Sequence, residues 1–138
     1  MIPALLMLLF AAQSEPWTSA DLIQPAALAT AIREKSAPPI FFVGFPVLWR
    51  AAHIPGAPMD GPASKDEGLA ALKAAVRDIP HDRELVIYCG CCPMDHCPNI
   101  RPAFRMLHEM GFTHVRVLEI PTNMRTDWID KGYPTERP

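Results

Sequence analysis

The chain of 138 residues places all of its cysteines in one short stretch, Cys89-Gly90-Cys91-Cys92-Pro93-Met94-Asp95-His96-Cys97. An apolar run, Leu85-Val86-Ile87-Tyr88, leads into it, and a run with helical periodicity, Ile100 to Met110, leads out. A cysteine at the end of a buried strand, just before a helix, sits where free backbone N–H groups and the helix dipole favour negative charge. The same surroundings lower a thiol pKa and raise its thiolate fraction. The residue types and their spacing therefore point to sulfur chemistry, with a thiolate acting as nucleophile or as metal ligand.

Within this stretch Cys89 is the candidate nucleophile, because it ends the strand and faces the helix start. Cys91, Cys92 and Cys97 admit three readings. One of them resolves an oxidised or sulfur-bearing Cys89 by forming a disulfide. Alternatively, together with His96 and with Met94 as a further soft donor, they bind a soft metal, and both Cu(I) and Zn²⁺ accept such ligands. The third reading is structural disulfides that shape the loop. Arg101, near the helix start, is placed to hold an anionic substrate or to stabilise a thiolate, or else is a solvated helix residue. Arg105, Asp95, His81, His108 and His114 read as surface or loop residues. Trp17, Trp49 and Trp128 read as packing aromatics.

Bulk composition narrows the class. This length predicts one domain, and 49% hydrophobic with 20% charged residues is ordinary for a globular protein. A net charge of −2 gives no sign of a nucleic-acid partner or an anionic membrane surface. The first residues, Met1 to Ala12, are apolar and uncharged. They are too few to span a bilayer, which takes about 20 residues. They fit the apolar core of a secretory signal peptide, and Ala12-Gln13-Ser14 is an acceptable cleavage site. The expectation is a signal peptide over 1–14, a domain over 15–138, and an exported, periplasmic or secreted protein with no stable membrane insertion after processing. In an oxidising compartment cysteines commonly form structural disulfides. Those usually join distant segments, and Cys91 and Cys92 are neighbours, so the clustering favours chemistry or metal over scaffolding.

Several elements must position this stretch. Pro25 suits the first turn of a helix whose apolar face is Leu28, Ala31 and Ile32. Ile40-Phe41-Phe42-Val43 reads as a buried strand ended by Gly44 and Pro46, and Val47-Leu48-Trp49 as the start of a short helix. Ser64 and Glu67 have capping-box spacing ahead of a helix with Leu69, Leu72 and Val76 on one face. Leu85 to Tyr88 is the second strand. Asn99 is placed to cap the next helix, with Ile100, Ala103, Phe104, Leu107 and Met110 on its stripe and Gly111 as its stop. Val115, Val117 and Leu118 mark a third strand. Strands alternating with helices predict an α/β domain with a mostly parallel sheet, and ligands of such sheets bind at the carboxyl ends of the strands.

With these elements in place the chain resembles the rhodanese (sulfurtransferase) domain family. Trp17-Thr18-Ser19-Ala20-Asp21-Leu22 is similar to its opening segment, and His53-Ile54-Pro55-Gly56-Ala57 to its most recognisable short motif. Val86-Ile87-Tyr88-Cys89 looks like the strand that ends in its persulfide-carrying cysteine. Leu107 through Gly111-Phe112, then Val115 and Leu118, look like its helix, turn and next strand, and Trp128 with Gly132-Tyr133-Pro134 like its closing segment.

The resemblance implies a three-layer α/β domain with a mostly parallel central sheet, a structural role for His53, and a cysteine persulfide on Cys89. It further implies a small sulfane-sulfur donor, a thiol acceptor and no required cofactor. The chain also departs from the family pattern. Val43-Gly44-Phe45-Pro46 stands where an Asp-x-Arg is usual, the active-site loop is longer with three added cysteines, and Ile120-Pro121-Thr122-Asn123 replaces a Gly-Gly. These departures mark a divergent subgroup. Two alternatives stand beside sulfur transfer: a soft-metal binding module using copper or zinc, and a non-catalytic interaction domain. Retention of Cys89 argues against the second.

Overall fold

A computed structural model describes Glu15–Pro138; the signal segment expected over 1–14 lies outside the described residues. Four parallel strands form one sheet in the order β1-β4-β3-β2. They are β1 (Leu22–Ile23), β2 (Ile40–Phe42), β3 (Leu85–Tyr88) and β4 (Val115–Leu118). β3 is central, and its register sets Ile40 against Val86, Phe42 against Tyr88, and Leu85 against Val115. Every residue of β2 and β3 is buried, as expected for strands covered on both faces. The two-residue β1 pairs with Val117 and Leu118. Nothing in the sequence pattern separated it from the opening segment, because two residues are too few to show a period.

Alternation along the strands divides the core into two layers. Leu85, Ile87, Phe41, Val115 and Val117 pack against α3 (Asp66–Val76) and α4 (Ile100–Glu109). Val86, Tyr88, Ile40, Phe42 and Leu118 pack on the opposite side against α1 (Pro25–Arg33) and, through Leu48 and Trp49, the short α2 (Pro46–Ala51), with Trp128 closing that layer. The three-layer α/β expectation is borne out. Trp128 lies in a π-helical turn, Arg125–Ile129, is fully buried, and donates its indole N–H to the Pro134 carbonyl at 2.8 Å. Tyr88 accepts the Ile54 N–H on its hydroxyl at 3.0 Å, which ties the His53–Ala57 segment to the sheet. His53 is buried; one ring nitrogen reaches the Trp49 carbonyl and the other the Glu136 carboxylate.

Helix boundaries follow local chemistry with two corrections. Pro25 opens α1 at its first position, and Gly111, at φ 98°, stops α4 while the Phe112 N–H returns to the Leu107 carbonyl. In α4 the buried residues Ile100, Ala103, Phe104 and Leu107 recur at helical spacing. Pro102 is tolerated because N–H groups of the first turn have no partner within the helix. Ser64 and Glu67, however, form no capping box, since α3 begins after Lys65 with no side-chain cap. Nor does Asn99 cap α4 with its side chain. The Ser64 N–H instead donates to Asn99 Oδ1 at 2.9 Å, so the two expected caps are joined to each other.

The segment between β2 and α3 runs along the carboxyl end of β2, with the Asp60 N–H on the Phe42 carbonyl and the Ala63 N–H on the Val43 carbonyl. Asp60 is buried there, and its Oδ2 has no hydrogen-bond partner among the described residues. Burial pushes its carboxyl up to about 6. A carboxyl raised in the folded state binds more protons than in the unfolded chain between the two pKa values. Its stabilising contribution is complete below the unfolded value, near 4, and is lost as pH rises through about 6. Asp60→Asn is therefore expected to stabilise the protein at pH 7 by on the order of 1–3 kcal/mol and to give no gain at pH 4. Thermal melts at both values check this; an equal gain at both would show that ionisation is not the cause.

Candidate active site

Cys89 follows the last residue of β3, at the carboxyl edge of the sheet, and is buried. Its neighbours leave room only for hydrogen. A Cβ on Gly44 would lie 2.8 Å from Cys89 Sγ, and a Cβ on Gly90, which adopts φ 75°, would lie 2.8 Å from the Met124 Cβ. The loop that follows is fastened to the 120–124 segment at two points. The Met94 N–H donates to the Ile120 carbonyl at 3.1 Å and the Met124 N–H to the Gly90 carbonyl at 3.0 Å. These bonds fold the cysteine stretch back over the strand end.

That folding brings sulfurs together. Cys89 Sγ lies 3.4 Å from Cys91 Sγ, Cys91 Sγ lies 3.9 Å from Cys97 Sγ, and the three sulfurs all fall within 4.8 Å of one another. All four cysteines are free thiols. A group of three converging sulfurs can hold a metal ion as well as do thiol chemistry. Asn99, fully buried, donates its side-chain N–H to Cys89 Sγ at 3.4 Å.

The expected electrostatics need correction. The first N–H groups of α4, those of Asn99 and Ile100, are directed at Cys97 and not at Cys89. Cys97 lies closer to the helix in sequence, two residues before Asn99. Cys89 donates its S–H to the Cys91 sulfur, and this is the main reason its pKa is pushed up to about 12. A hydrogen bond from Cys97 opposes the rise, burial adds to it, and the Cys91 N–H and Asn99 amide oppose it. The Cys97 thiol is pushed up further, first by its hydrogen bond to Cys89 and then by burial. Cys89 and Cys97 thus retain their protons in the reduced state. The sequence pointed to a lowered Cys89 pKa because it could not show neighbouring thiols accepting and donating protons at this strand end.

The remaining candidates separate. Cys92 Sγ is 2.9 Å from Cys91 Sγ but is not among the three sulfurs that converge. His96 is 78% exposed and bonded to Asp95, so the structure does not bring it to the thiols. Arg101 is engaged elsewhere. It pairs with Glu15 and donates to the Cys97 and Asp95 carbonyls, with its guanidinium over Trp17. It therefore staples the loop to the start of the domain, and its hydrogen bonds do not reach Cys89.

A cavity of about 290 Å³ opens beside Cys89 and Cys91. Its walls include Phe42, Leu48, Met124, Ile129 and the charged Arg125. Among the described residues Arg125 has no ion pair. Sequence reading missed Arg125, Asn99 as a partner of Cys89, and Gly44 as its spacer. Gly44 carried a signal, a glycine directly after a buried strand; the other two carried none until the loop was folded.

No protein-family model and no curated protein matches the sequence. Solved structures do match. The crystal structure of the Alr3790 protein from Anabaena sp. superposes with a TM-score of 0.62 at 23% identity, over 84% of this chain and 82% of that one. The solution structure of the rhodanese-like domain of Alr3790 gives 0.59 at 21% identity, over 86% and 80% of the two chains. The chain has a rhodanese-like fold. Reduced CoADR-RHD of Bacillus anthracis aligns with a TM-score of 0.50 at 16% identity, over 76% of this chain and 16% of that longer one.

In this rhodanese-like fold the loop after β3 is cysteine-rich, and Cys89 donates its S–H to Cys91. Replacing Cys91 by alanine removes the largest cause of the raised Cys89 pKa. Cys91→Ala is expected to increase alkylation of Cys89 by iodoacetamide at neutral pH by about tenfold or more, as its thiolate fraction rises. Peptide mass spectrometry at a series of pH values measures the rate at each cysteine. Superimposable Cys89 profiles for the variant and the natural protein would show that Cys91 does not hold that proton.

Proposed function

We propose that the protein is an exported sulfurtransferase-type enzyme that moves sulfane sulfur through a persulfide on Cys89. The observation that carries this reading is the position of Cys89 in a rhodanese-like fold. It ends the central strand, beside a cavity of about 290 Å³, with a second thiol, Cys91, 3.4 Å away. In the first half-reaction the Cys89 thiolate attacks the outer sulfur of an anionic donor. The bond between that sulfur and the rest of the donor breaks, and the donor leaves with the electron pair. As the thiolate forms, the Cys89 proton leaves to solvent through the adjoining cavity, because Cys91 is itself a protonated thiol that donates to Cys97. Arg125 meets the negative charge of the donor at the cavity wall, the role that Arg101 cannot fill while it binds Glu15 and the loop.

Two outcomes follow for the persulfide. An external thiolate removes the outer sulfur and restores Cys89. Alternatively, the Cys91 thiolate attacks the inner sulfur, forms a Cys89–Cys91 disulfide and releases hydrosulfide, after which an external reductant must reopen the disulfide. Backbone N–H of Cys91 and the Asn99 amide favour negative charge on Cys89 during the cycle. The partners are therefore a small sulfane-sulfur donor and a thiol acceptor.

Sulfane donor added to reduced, metal-free protein is expected to raise the mass by one sulfur atom, located on Cys89. Cys89→Ser is expected to abolish this gain, while Cys97→Ser keeps the first half-reaction and changes turnover. Site-resolved mass spectrometry reads both. A natural protein that never carries extra sulfur on Cys89 would overturn the sulfurtransferase reading and leave binding functions of the loop. For export, amino-terminal sequencing of the mature protein is expected to begin at or near Glu15. Recovery of the unprocessed chain from the cytoplasm alone would refute that part.

A further inference from the structure

We infer that Cys89, Cys91 and Cys97 form a three-coordinate thiolate site for Cu(I), and that the ion and a persulfide on Cys89 exclude each other. An ion bonded to three coplanar sulfurs at about 2.3 Å holds those sulfurs about 4.0 Å apart. The Cys89–Cys91 and Cys91–Cys97 separations are 3.4 and 3.9 Å, and all three sulfurs lie within 4.8 Å. The reduced loop is thus close to the spacing a bound ion needs, and little rearrangement separates the two states.

The donor set selects the ion. It is all sulfur, and among the described residues no histidine nitrogen or carboxylate oxygen joins the group. His96 faces solvent on Asp95, and Cys92 stays outside the set although it adjoins Cys91. Structural Zn²⁺ takes four ligands in a tetrahedron. A buried set of three thiolates suits the soft monovalent copper ion better. Cys89 and Cys97 are buried, and Met94 helps enclose a space of about 10 Å³ beside both.

Binding replaces three S–H bonds by three S–Cu bonds. Three protons go to solvent, copper stays monovalent and no electron is transferred. The complex carries two net negative charges. Polar donors already face those sulfurs: the Asn99 amide and Cys91 N–H on Cys89, and the Asn99 and Ile100 N–H groups at the start of α4 on Cys97. Exclusion of the persulfide, which rests on the sulfur-carrier reading of Cys89, follows because one sulfur cannot both close the copper site and carry a second sulfur.

The test uses the reduced, metal-free protein under anaerobic conditions, titrated with Cu(I) against the chelator bicinchoninate. One ion per chain is expected, with three sulfur neighbours by X-ray absorption. Cys89→Ser, Cys91→Ser and Cys97→Ser are each expected to weaken binding by about 100-fold, while Cys92→Ser and His96→Ala bind as the natural protein does. No Cu(I) uptake in competition, a nitrogen neighbour, or equal weakening by Cys92→Ser would overturn the site. So would preferential binding of Zn²⁺ in a four-coordinate set.

The natural protein is then given a sulfane donor with and without one equivalent of Cu(I). Sulfur uptake on Cys89 only in the metal-free sample supports both the site and the exclusion. Equal uptake in both samples overturns the exclusion and leaves the sulfurtransferase reading standing. Copper bound by three sulfurs with no uptake in either sample supports the site and overturns the sulfurtransferase reading.

Discussion

The side chain of Asn99 holds this site together. It is fully buried, accepts the Ser64 N–H on Oδ1 and donates from Nδ2 to Cys89 Sγ. Three segments meet at this one amide: the approach to α3, the end of β3 and the start of α4. The energetics explain why it does not cap its own helix. A side-chain cap contributes about 1 kcal/mol. A buried amide left without partners costs about 1–3 kcal/mol, and here both of its ends are bonded. The Ser64 N–H is fixed in direction by Ala63, whose own N–H is on the Val43 carbonyl. Asn99 therefore answers a donor that the sheet has already aimed.

With Asn99 turned inward, the first N–H groups of α4 need another acceptor, and the Cys97 sulfur receives them. This places Cys97 against Cys89 and, through Cys91, completes the group of three sulfurs. The close approach also depends on glycine at two points. Gly44 stands where any side chain would strike Cys89 Sγ, and Gly90 lets the chain reverse at positive φ against Met124. Arg101 then closes the loop from outside by holding two of its carbonyls and Glu15.

How much of this was legible in the sequence differs by element. Ile40–Phe42, Leu85–Tyr88 and Val115–Leu118 announced themselves as short apolar runs, and α4 by the spacing of Ile100, Ala103, Phe104 and Leu107. These are local patterns, and burial on both faces of a parallel sheet makes them strong. β1 was hidden because a two-residue strand has no period. The caps at Ser64 and Asn99 were misread because each motif is defined within one helix, while the bond that forms runs between segments 35 residues apart. In the site, the clustering of cysteines was plain. Which thiols touch was not, because a loop without periodicity carries no signal of its fold. His96 illustrates the gap: near the cysteines in sequence, it is turned to solvent by the bond to Asp95.

A raised thiol pKa in a nucleophile's position appears at first to oppose catalysis. The protonated state has two consequences that point the other way. A buried, protonated Cys89 is protected from over-oxidation, since the thiolate is the oxidised form's precursor. The S–H also holds the Cys91 sulfur 3.4 Å away beside the cavity, within reach of a sulfur carried on Cys89. Nucleophilicity per thiolate rises with thiol pKa, so the less abundant anion is the more reactive one once formed. Under the proposed function reactivity in this loop is conditional: it requires an event that displaces the thiol protons, an anionic sulfur donor beside Arg125 in the sulfur-transfer reading or a soft cation between the three sulfurs in the copper-site proposal. The same hydrogen bonds that keep the thiols quiescent also keep them close enough for either event to use them.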